Sequence, residues 1–213
     1  MKGNLLFAAI FAAGVLVLGG FYVLTSTPAS NAQDAGGPAT MVAPIDADAP
    51  VLVIEVAGEA NGMIEIQLFP DVAPNHVERL VTLAESGAYD GVVFHRVIEG
   101  FMAQSGDVQY GQSSGDTSRA GMGASNLPDL KAEFSDLAFE RGVLGMARSS
   151  SPHSANSQFF IMFAPAPHLN GQYTVVGQVV AGLDVLDQIK LGRGPNGSVI
   201  GEPDVMKTVR LRR

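Results

Sequence analysis

The chain has 213 residues, of which 46% are hydrophobic and 16% are charged, as expected for one globular domain together with an apolar segment. Its 13 basic and 21 acidic residues give a formal net charge of −8, which argues against a nucleic-acid backbone as the main partner. Because the sequence contains no cysteine, it has no disulfide framework, no thiolate zinc site and no thiol nucleophile.

The N-terminal region contains a long apolar segment. Residues 5–24 follow Lys2, carry no charge, and are numerous enough as a helix to cross the ~30 Å hydrocarbon core of a bilayer. The positive charge before this run favours translocation of everything after it. Small residues up to Ala32 fit a signal-peptidase site. The segment 1–24 is therefore interpreted as a signal peptide cleaved near Ala32 or as an uncleaved membrane anchor.

Residues 25–50 have a different composition from the rest of the chain. They are mostly Ala, Pro, Ser, Gly and Asp, with too few large apolar side chains to offset the entropy lost on ordering. We therefore interpret 25–50 as a flexible linker and 51–213 as the folded domain.

The domain begins with strand and helix patterns. Residues 51–56 and 63–69 are rich in β-formers and flank a turn that contains Gly and Asn, which predicts a β-hairpin. After Pro74, apolar residues recur at helical spacing until Gly87, which predicts one amphipathic helix. His76 lies on this helix and is expected to be solvated.

The next stretch contains an arginine between apolar residues. Residues 92–98 are predicted to form a strand, and a loop is expected to begin at Gly100. Since side chains alternate along a strand, Arg96 lies on the face opposite His95 and Val97. His95 is then a core or supporting residue, and Arg96 lies near the apolar and amide side chains that follow, in a concave site for a small apolar group.

The remaining chain contains several short apolar runs. They predict further strands at 143–147, 157–163, 174–180 and 205–211, and a second short helix over 183–189. Many short strands, two helices and no alternation of strand and helix indicate an all-β barrel or sandwich with helices covering its openings. Within 157–163, Gln158 and Phe160 share one strand face, where Phe160 either lines a pocket or packs under a loop.

Several motifs together resemble the cyclophilin family of peptidyl-prolyl cis–trans isomerases. They are Phe94-His95-Arg96-Val97-Ile98-x-Gly100-Phe101-Met102-x-Gln104-x-Gly106-Asp107, Gly145-Met146-Ala147-Arg148 and Ser157-Gln158-Phe159-Phe160-Ile161, in that order. The resemblance covers essentially residues 51–213. It implies a mainly β fold, an eight-stranded antiparallel closed barrel capped by two α-helices, with the site on the outer face of the barrel.

The same resemblance implies which residues form the site. The catalytic arginine of the family corresponds to Arg96. The positions that bind substrate correspond to Phe101, Met102, Gln104, Ala147, Arg148, Gln158, Phe160, His168, Leu169 and Tyr173. The implied reaction is rotation about an X–Pro bond in translocated or unfolded proteins, which needs no covalent intermediate, metal or cofactor. The expected partners are proline-containing polypeptides, and the membrane if residues 5–24 stay attached. We expect no nucleic-acid partner and a monomer.

Three positions depart from the pattern of eukaryotic cytosolic members of the family. His168 replaces a tryptophan, Tyr173 a histidine and Arg148 an asparagine, and the last two changes resemble bacterial members. With the N-terminal segment, this resemblance predicts a protein of the bacterial periplasm, soluble after cleavage or anchored to the inner membrane. The smaller ring at His168 predicts poor inhibition by cyclosporin.

The sequence leaves two hypotheses about the function open. The chain is an isomerase, or it is a non-catalytic module or chaperone whose groove holds proline segments of a membrane or periplasmic complex. A further motif, Asn196-Gly197-Ser198, matches a glycosylation sequon and is equally a turn signal.

Overall fold

The computed structural model describes residues 40–212 of the chain. The apolar segment 1–24, the proposed cleavage point at Ala32 and the first part of the linker lie outside the described residues. Among residues 40–212, no helix is both long and apolar enough to span a bilayer.

Nine antiparallel strands form one sheet. In chain order they are β1 (Val51–Ala57), β2 (Gly62–Leu68), β3 (Val92–Val93), β4 (Arg96–Ile98), β5 (Met102–Ser105), β6 (Val143–Met146), β7 (Phe159–Met162), β8 (Val175–Ala181) and β9 (Val205–Arg212). Across the sheet the order is β3-β9-β1-β2-β8-β6-β7-β5-β4. The predicted hairpin is present as β1 and β2, and the predicted closing strand is β9.

The two edge strands, β3 and β4, are consecutive in the chain. The residues between them leave the strand ladder, since the Phe94 amide donates to the Asp204 carbonyl at 2.8 Å and the His95 carbonyl accepts from the Val199 amide at 3.0 Å. The prediction of a mainly β fold with two helices is confirmed. The prediction of eight strands in a closed barrel is wrong in detail, because the single strand expected over 92–98 is interrupted at Phe94 and His95.

Two apolar clusters lie on either side of the sheet. The inner cluster contains the alternating side chains of the β1–β2 hairpin, such as Ile54 and Ile64, both fully buried. A second cluster, which we call the outer cluster, contains Phe69, Met102, Phe139, Val143, Phe160, Met162, Ala166, Leu169 and Val175. Because strand side chains alternate, the same strands supply both clusters.

Within residues 40–212, two α-helices accompany the sheet, α1 (Pro74–Glu85) and α2 (Leu183–Asp187). Helix α1 has no cap from a side chain next to its start, and Glu133 supplies one instead. The Glu133 carboxylate accepts from the backbone amides of Asn75 at 3.2 Å and His76 at 3.1 Å, and it contacts His76 Nδ1 at 2.5 Å. The expectation that His76 is solvated is therefore wrong, because its side chain is fully buried and contacts this remote carboxylate.

Residues 40–50, the end of the predicted linker, contact the domain. The buried amide of Gln178 accepts from the Val42 backbone amide at 2.8 Å and donates to the Thr40 carbonyl at 2.7 Å. Val42 and Ala43 also pack against the outer cluster.

Candidate active site

The core of the site is the hairpin of β4 and β5. Gly100 was expected to begin a loop, but it forms a turn with φ of 64°, and the chain returns at once as β5. The expected loop was wrong because Met102 to Ser105 complete a hairpin that pairs with β4. In this pairing Arg96 lies opposite Gln104, and directly paired residues share one face of a sheet.

Strand β7 adds Phe160 to the row of paired residues that begins with Arg96 and Gln104. Phe160 pairs with Gln104 on one side and with Gly145 of β6 on the other. A Cβ atom added at Gly145 would lie 2.6 Å from Phe160 and 2.6 Å from Phe139. The absence of a side chain at Gly145 therefore lets the Phe160 ring lie across β6 and pack on Phe139, with ring centroids 5.7 Å apart.

A pocket of about 180 Å³ opens over this row. Its wall contains four apolar side chains, Phe101, Met102, Phe160 and Leu169, two from strands and two from turns. All residues that line it are Arg96, Phe101, Met102, Gln104, Ala147, Arg148, Phe160, Leu169 and Tyr173. The structure thus brings together nine of the predicted site residues.

The other two predicted residues border the pocket. His168 lies in a short 3₁₀ turn and stacks on Phe101, with ring centroids 5.7 Å apart and an angle of 30° between the rings. Gln158 lies behind Gln104, whose Nε2 donates to Gln158 Oε1 at 3.0 Å. On the opposite wall, Tyr173 meets the Phe160 ring edge-on at 5.7 Å.

Arg148 forms the side of the pocket next to Tyr173. Its guanidinium lies over the Tyr173 ring at 4.4 Å and donates through Nε and Nη2 to the Gln172 carbonyl at 3.2 and 3.0 Å. A stacked guanidinium with carbonyl partners is held in one plane. Arg148 therefore packs on Tyr173, whose ring in turn contacts Phe160.

Hydrogen bonds hold the Arg96 guanidinium on two sides. Nη1 donates to Gln104 Oε1 at 3.1 Å, and Nε donates to the Asn196 carbonyl at 2.8 Å. Burial lowers the pKa of Arg96 below its usual value, an effect that Tyr173 opposes. Arginine nevertheless keeps its charge at neutral pH. The pocket therefore contains a fixed cationic donor beside an apolar wall.

The Gly-rich loop, which we define as residues 108–126, supports this hydrogen-bond chain. Gln158 Nε2 donates to the carbonyls of Gly121 at 3.1 Å and Gly123 at 2.8 Å. The amides of the same two glycines donate to one carboxylate oxygen of the fully buried Asp107, at 2.7 and 2.8 Å. Asp107 thus fixes the loop that orients Gln158. Sequence reasoning assigned no role to it, although an acid directly before a Gly-rich loop is a usable signal for such a clamp.

A second hollow of about 300 Å³ adjoins the pocket and shares Gln104, Ala147 and Arg148 with it. The remaining wall is mostly polar and comes from two stretches of the chain, 121–129 and 149–158. These residues are Gly121, Met122, Gly123, Ala124, Asp129, Ser149, Ser154, Asn156, Ser157 and Gln158. An extended peptide has room to cross from the pocket into this hollow along Ala147. Within residues 40–212, no group of three His, Asp or Glu side chains could hold a metal ion.

Comparison with known proteins identifies a family and relatives with similar sequences. Residues 51–211 match the model of the family described as cyclophilin type peptidyl-prolyl cis–trans isomerase/CLD. A probable peptidyl-prolyl cis–trans isomerase from Brucella suis biovar 1 is 55% identical over 146 residues, which are 68% of this chain and 74% of the relative. An Arabidopsis thaliana peptidyl-prolyl cis–trans isomerase is 41% identical over 153 residues, 71% of this chain and 88% of the relative.

Solved structures share the fold at lower identity. A Cryptosporidium parvum cyclophilin, determined in the presence of the dipeptide Ala-Pro, has a TM-score of 0.64 at 24% identity and covers 76% of this chain and 99% of its own. A cyclophilin from Hirschia baltica has a TM-score of 0.61 at 24% identity, over 75% of this chain and 72% of its own. The family model over residues 51–211 and the relatives that are 55% and 41% identical show that the chain belongs to the cyclophilin-type peptidyl-prolyl cis–trans isomerase family.

Proposed function

We propose that Arg96 is the catalytic group with which this isomerase accelerates rotation about X–Pro bonds of polypeptides. The observation that carries the proposal is the fixed Arg96 guanidinium beside an apolar pocket of about 180 Å³. Three of the apolar side chains that form its wall are Phe101, Met102 and Phe160. A pocket of this size and chemistry suits a proline ring.

The chemistry follows from the electronic structure of the peptide bond. An amide resists rotation because nitrogen donates its lone pair into the carbonyl, with a barrier of about 18–20 kcal/mol. As the bond twists, the lone pair localises on the prolyl nitrogen. A donor placed there binds the twisted form better than either planar isomer, which is differential binding of the transition state.

The residues around the pocket have different roles in stabilising the twisted form. Arg96 donates toward the prolyl nitrogen, and the apolar wall excludes water, which strengthens a charge-assisted hydrogen bond. Gln104, whose amide is oriented by Gln158, is placed to hydrogen-bond the peptide backbone next to the proline. A rate increase of about 10⁵-fold corresponds to about 7 kcal/mol, which the donor and the shape of the pocket supply together. The step moves no proton and forms no covalent bond.

The first prediction concerns Arg96. With an Ala-Pro peptide, whose exchange between isomers is followed by NMR, we expect Arg96→Ala to lower the exchange rate by about 10²–10³-fold, the effect of removing one preorganised donor. Arg96→Lys keeps the charge but loses the planar fork, so we expect intermediate activity. Arg212→Ala, which removes an exposed arginine paired with Glu65, is the matched control. Peptide binding without exchange in the parent protein would show a binding module instead of an enzyme.

The cellular location is a separate part of the proposal. We propose a bacterial protein that works outside the cytoplasm, in the periplasm or anchored to the inner membrane. The uncharged residues 5–24 after Lys2 and the 55% identity to the Brucella relative support this. The mass of the mature protein in membrane and soluble fractions tests it: loss of residues 1–32 means cleavage, and a full-length membrane-bound chain means an anchor. A full-length chain in the cytoplasm contradicts the proposal.

A further inference from the structure

We propose that Asn196 is a positioning residue for the isomerase reaction, because its backbone carbonyl fixes the plane of the Arg96 guanidinium. The inference rests on the proposed catalytic role of Arg96. Nε of Arg96 donates to the Asn196 carbonyl at 2.8 Å, although the two residues are 100 positions apart in the chain. The Asn-Gly pair that the sequence offers as a turn or a sequon thus contributes to the site through its main chain.

The turn over residues 195–198 has an unusual backbone. Asn196 has φ of 56° and ψ of 23°, and among the described residues other than glycine it alone has a positive φ. Gly197 follows with φ of 78°, and the Ser198 amide donates to the Pro195 carbonyl at 3.1 Å. Two central residues with positive φ define a type I′ turn, for which Asn-Gly is the favoured pair. The direction of the Asn196 carbonyl is therefore set by this turn type.

The turn is attached directly to the strand that carries Arg96. Ser198 bridges to Arg96, the Val199 amide donates to the His95 carbonyl at 3.0 Å, and the Gly192 amide donates to the Val97 carbonyl at 2.9 Å. These contacts cover the edge of β4 on both sides of Arg96. The turn therefore cannot shift without moving the backbone of the catalytic strand.

Two anchored nitrogens are enough to orient a planar group. With Nε held by Asn196 and Nη1 held by Gln104 Oε1, the guanidinium cannot rotate about its terminal bonds. Within residues 40–212, Nη2 of Arg96 has no hydrogen-bond partner, so both of its hydrogens are free for a substrate. Preorganised donors of this kind need no rearrangement during the reaction.

The side chain of Asn196 is exposed, which separates this role from packing. A β-branched residue is strongly disfavoured at positive φ, whereas glycine adopts it freely. Asn196→Val therefore changes the turn and the direction of its carbonyl without removing a buried group. Asn196→Gly keeps the turn and removes the same side chain. Comparing Asn196→Val with Asn196→Gly therefore separates the effect of the backbone conformation from the effect of losing the side chain.

The experiment uses the full chain and two readouts. The first is kcat and KM for isomerisation of an Ala-Pro peptide. The second is the NMR signal of the Arg96 Nε–H, with its rate of exchange with solvent. Arg193→Val, which places the same side chain at an exposed position of ordinary φ in the same segment, is the control.

We expect Asn196→Val to lower kcat about tenfold, with KM within about twofold of the parent value, and to speed exchange of the Arg96 Nε–H. Asn196→Gly should restore both readouts, and Arg193→Val should leave both at the parent values. The inference is overturned if Asn196→Val keeps the parent rate and a protected Nε–H, or if Asn196→Gly or Arg193→Val loses as much as Asn196→Val. Should the valine variant not fold, Asn196→Ala is judged by the same criteria.

Failure of the inference can be distinguished from failure of the proposed function. If the parent protein shows no isomerisation, the catalytic role of Arg96 fails, and the Nε–H exchange in the variants still decides whether Asn196 fixes the guanidinium. If the parent is active and Arg96→Ala is not, but the Asn196 variants behave like the parent, only the positioning role fails.

Discussion

Burial of His95 beneath the Gly-rich loop changes its acid–base behaviour. Desolvation lowers the pKa of the imidazole to about 4, the Asp107 carboxylate opposes this shift, and the Arg96 guanidinium adds to it. Gly121 packs so closely that an added Cβ would lie 2.9 Å from the His95 ring. His95 thus faces inward beside Arg96, as the alternation of the strand predicts, and it stays neutral in the folded protein near pH 7.

We expect the protein to lose stability as the pH falls from about 6.5 toward 4. Over this range the unfolded chain binds a proton at His95 while the folded chain does not, so about 3 kcal/mol of unfolding free energy is lost. Urea denaturation at several pH values measures this. A His95→Gln variant should show a flatter dependence on pH, whereas His153→Gln, at an exposed position, should keep the slope of the parent. An unchanged slope in His95→Gln would contradict the prediction.

His168 defines the rim of the pocket by stacking on Phe101. An imidazole covers less of a large ligand than an indole and lacks its N–H at the same point. We therefore expect weak inhibition by cyclosporin and stronger inhibition of a His168→Trp variant, with turnover of a short Ala-Pro peptide changed much less. Inhibition constants for both proteins measure this, and nanomolar inhibition of the parent protein would contradict it.

At the scale of elements, helix α1 depends on a loop that is distant in sequence. Its first backbone amides, of Asn75 and His76, donate to the Glu133 carboxylate, and the Glu133 amide donates to the Thr174 hydroxyl at 3.1 Å. Thr174 directly follows Tyr173, which lines the pocket. The loop that caps the helix is thus also tied to a wall of the site.

We expect Glu133→Ala to lower the unfolding free energy by about 2–4 kcal/mol, because it removes the helix cap and leaves the buried His76 imidazole without its partner. Asp136→Ala removes the same charge from an exposed position in the same loop and should cost much less. Urea denaturation of the two variants measures the difference. Equal losses would show that Glu133 acts only through its charge.

At the scale of the whole molecule, the chain before β1 is part of the packing. The amide of Gln178 is fully buried, and the residues before β1 supply both of the hydrogen bonds described for it, from Thr40 and Val42. The family model begins only at residue 51, so these contacts lie outside the region shared with the family.

A chain shortened to begin at Val51 should therefore be less stable than one shortened to begin at Thr40, by about 1–3 kcal/mol. The physical reason is that the shorter chain leaves the buried amide of Gln178 without partners. Replacing Gln178 by leucine in the shorter chain should recover part of this loss, because no polar group is then left unsatisfied. Denaturation curves of these proteins measure the differences in unfolding free energy.

The order of strands and helices could be predicted from the sequence because their signals are local. Alternation over residues 51–69 and helical spacing after Pro74 lie within single elements, and the motif from residue 94 to 107 indicated the family and the site residues. Two boundaries were wrong because tertiary hydrogen bonds override propensity. The strand over 92–98 is interrupted where Phe94 and His95 bond elsewhere, and the expected loop after Gly100 is a paired strand.

The sequence by itself determined the elements, the family and the residue types of the pocket. Only the tertiary structure decided how these residues are supported: Arg96 by the Asn196 carbonyl, Gln158 by the loop that Asp107 holds, and α1 by Glu133. The reason is physical. These supports are hydrogen bonds to backbone groups of remote segments, and a backbone carbonyl or amide is the same in every residue except proline, whose amide lacks the hydrogen. Its position depends on how the chain folds, so no local pattern of side chains indicates it.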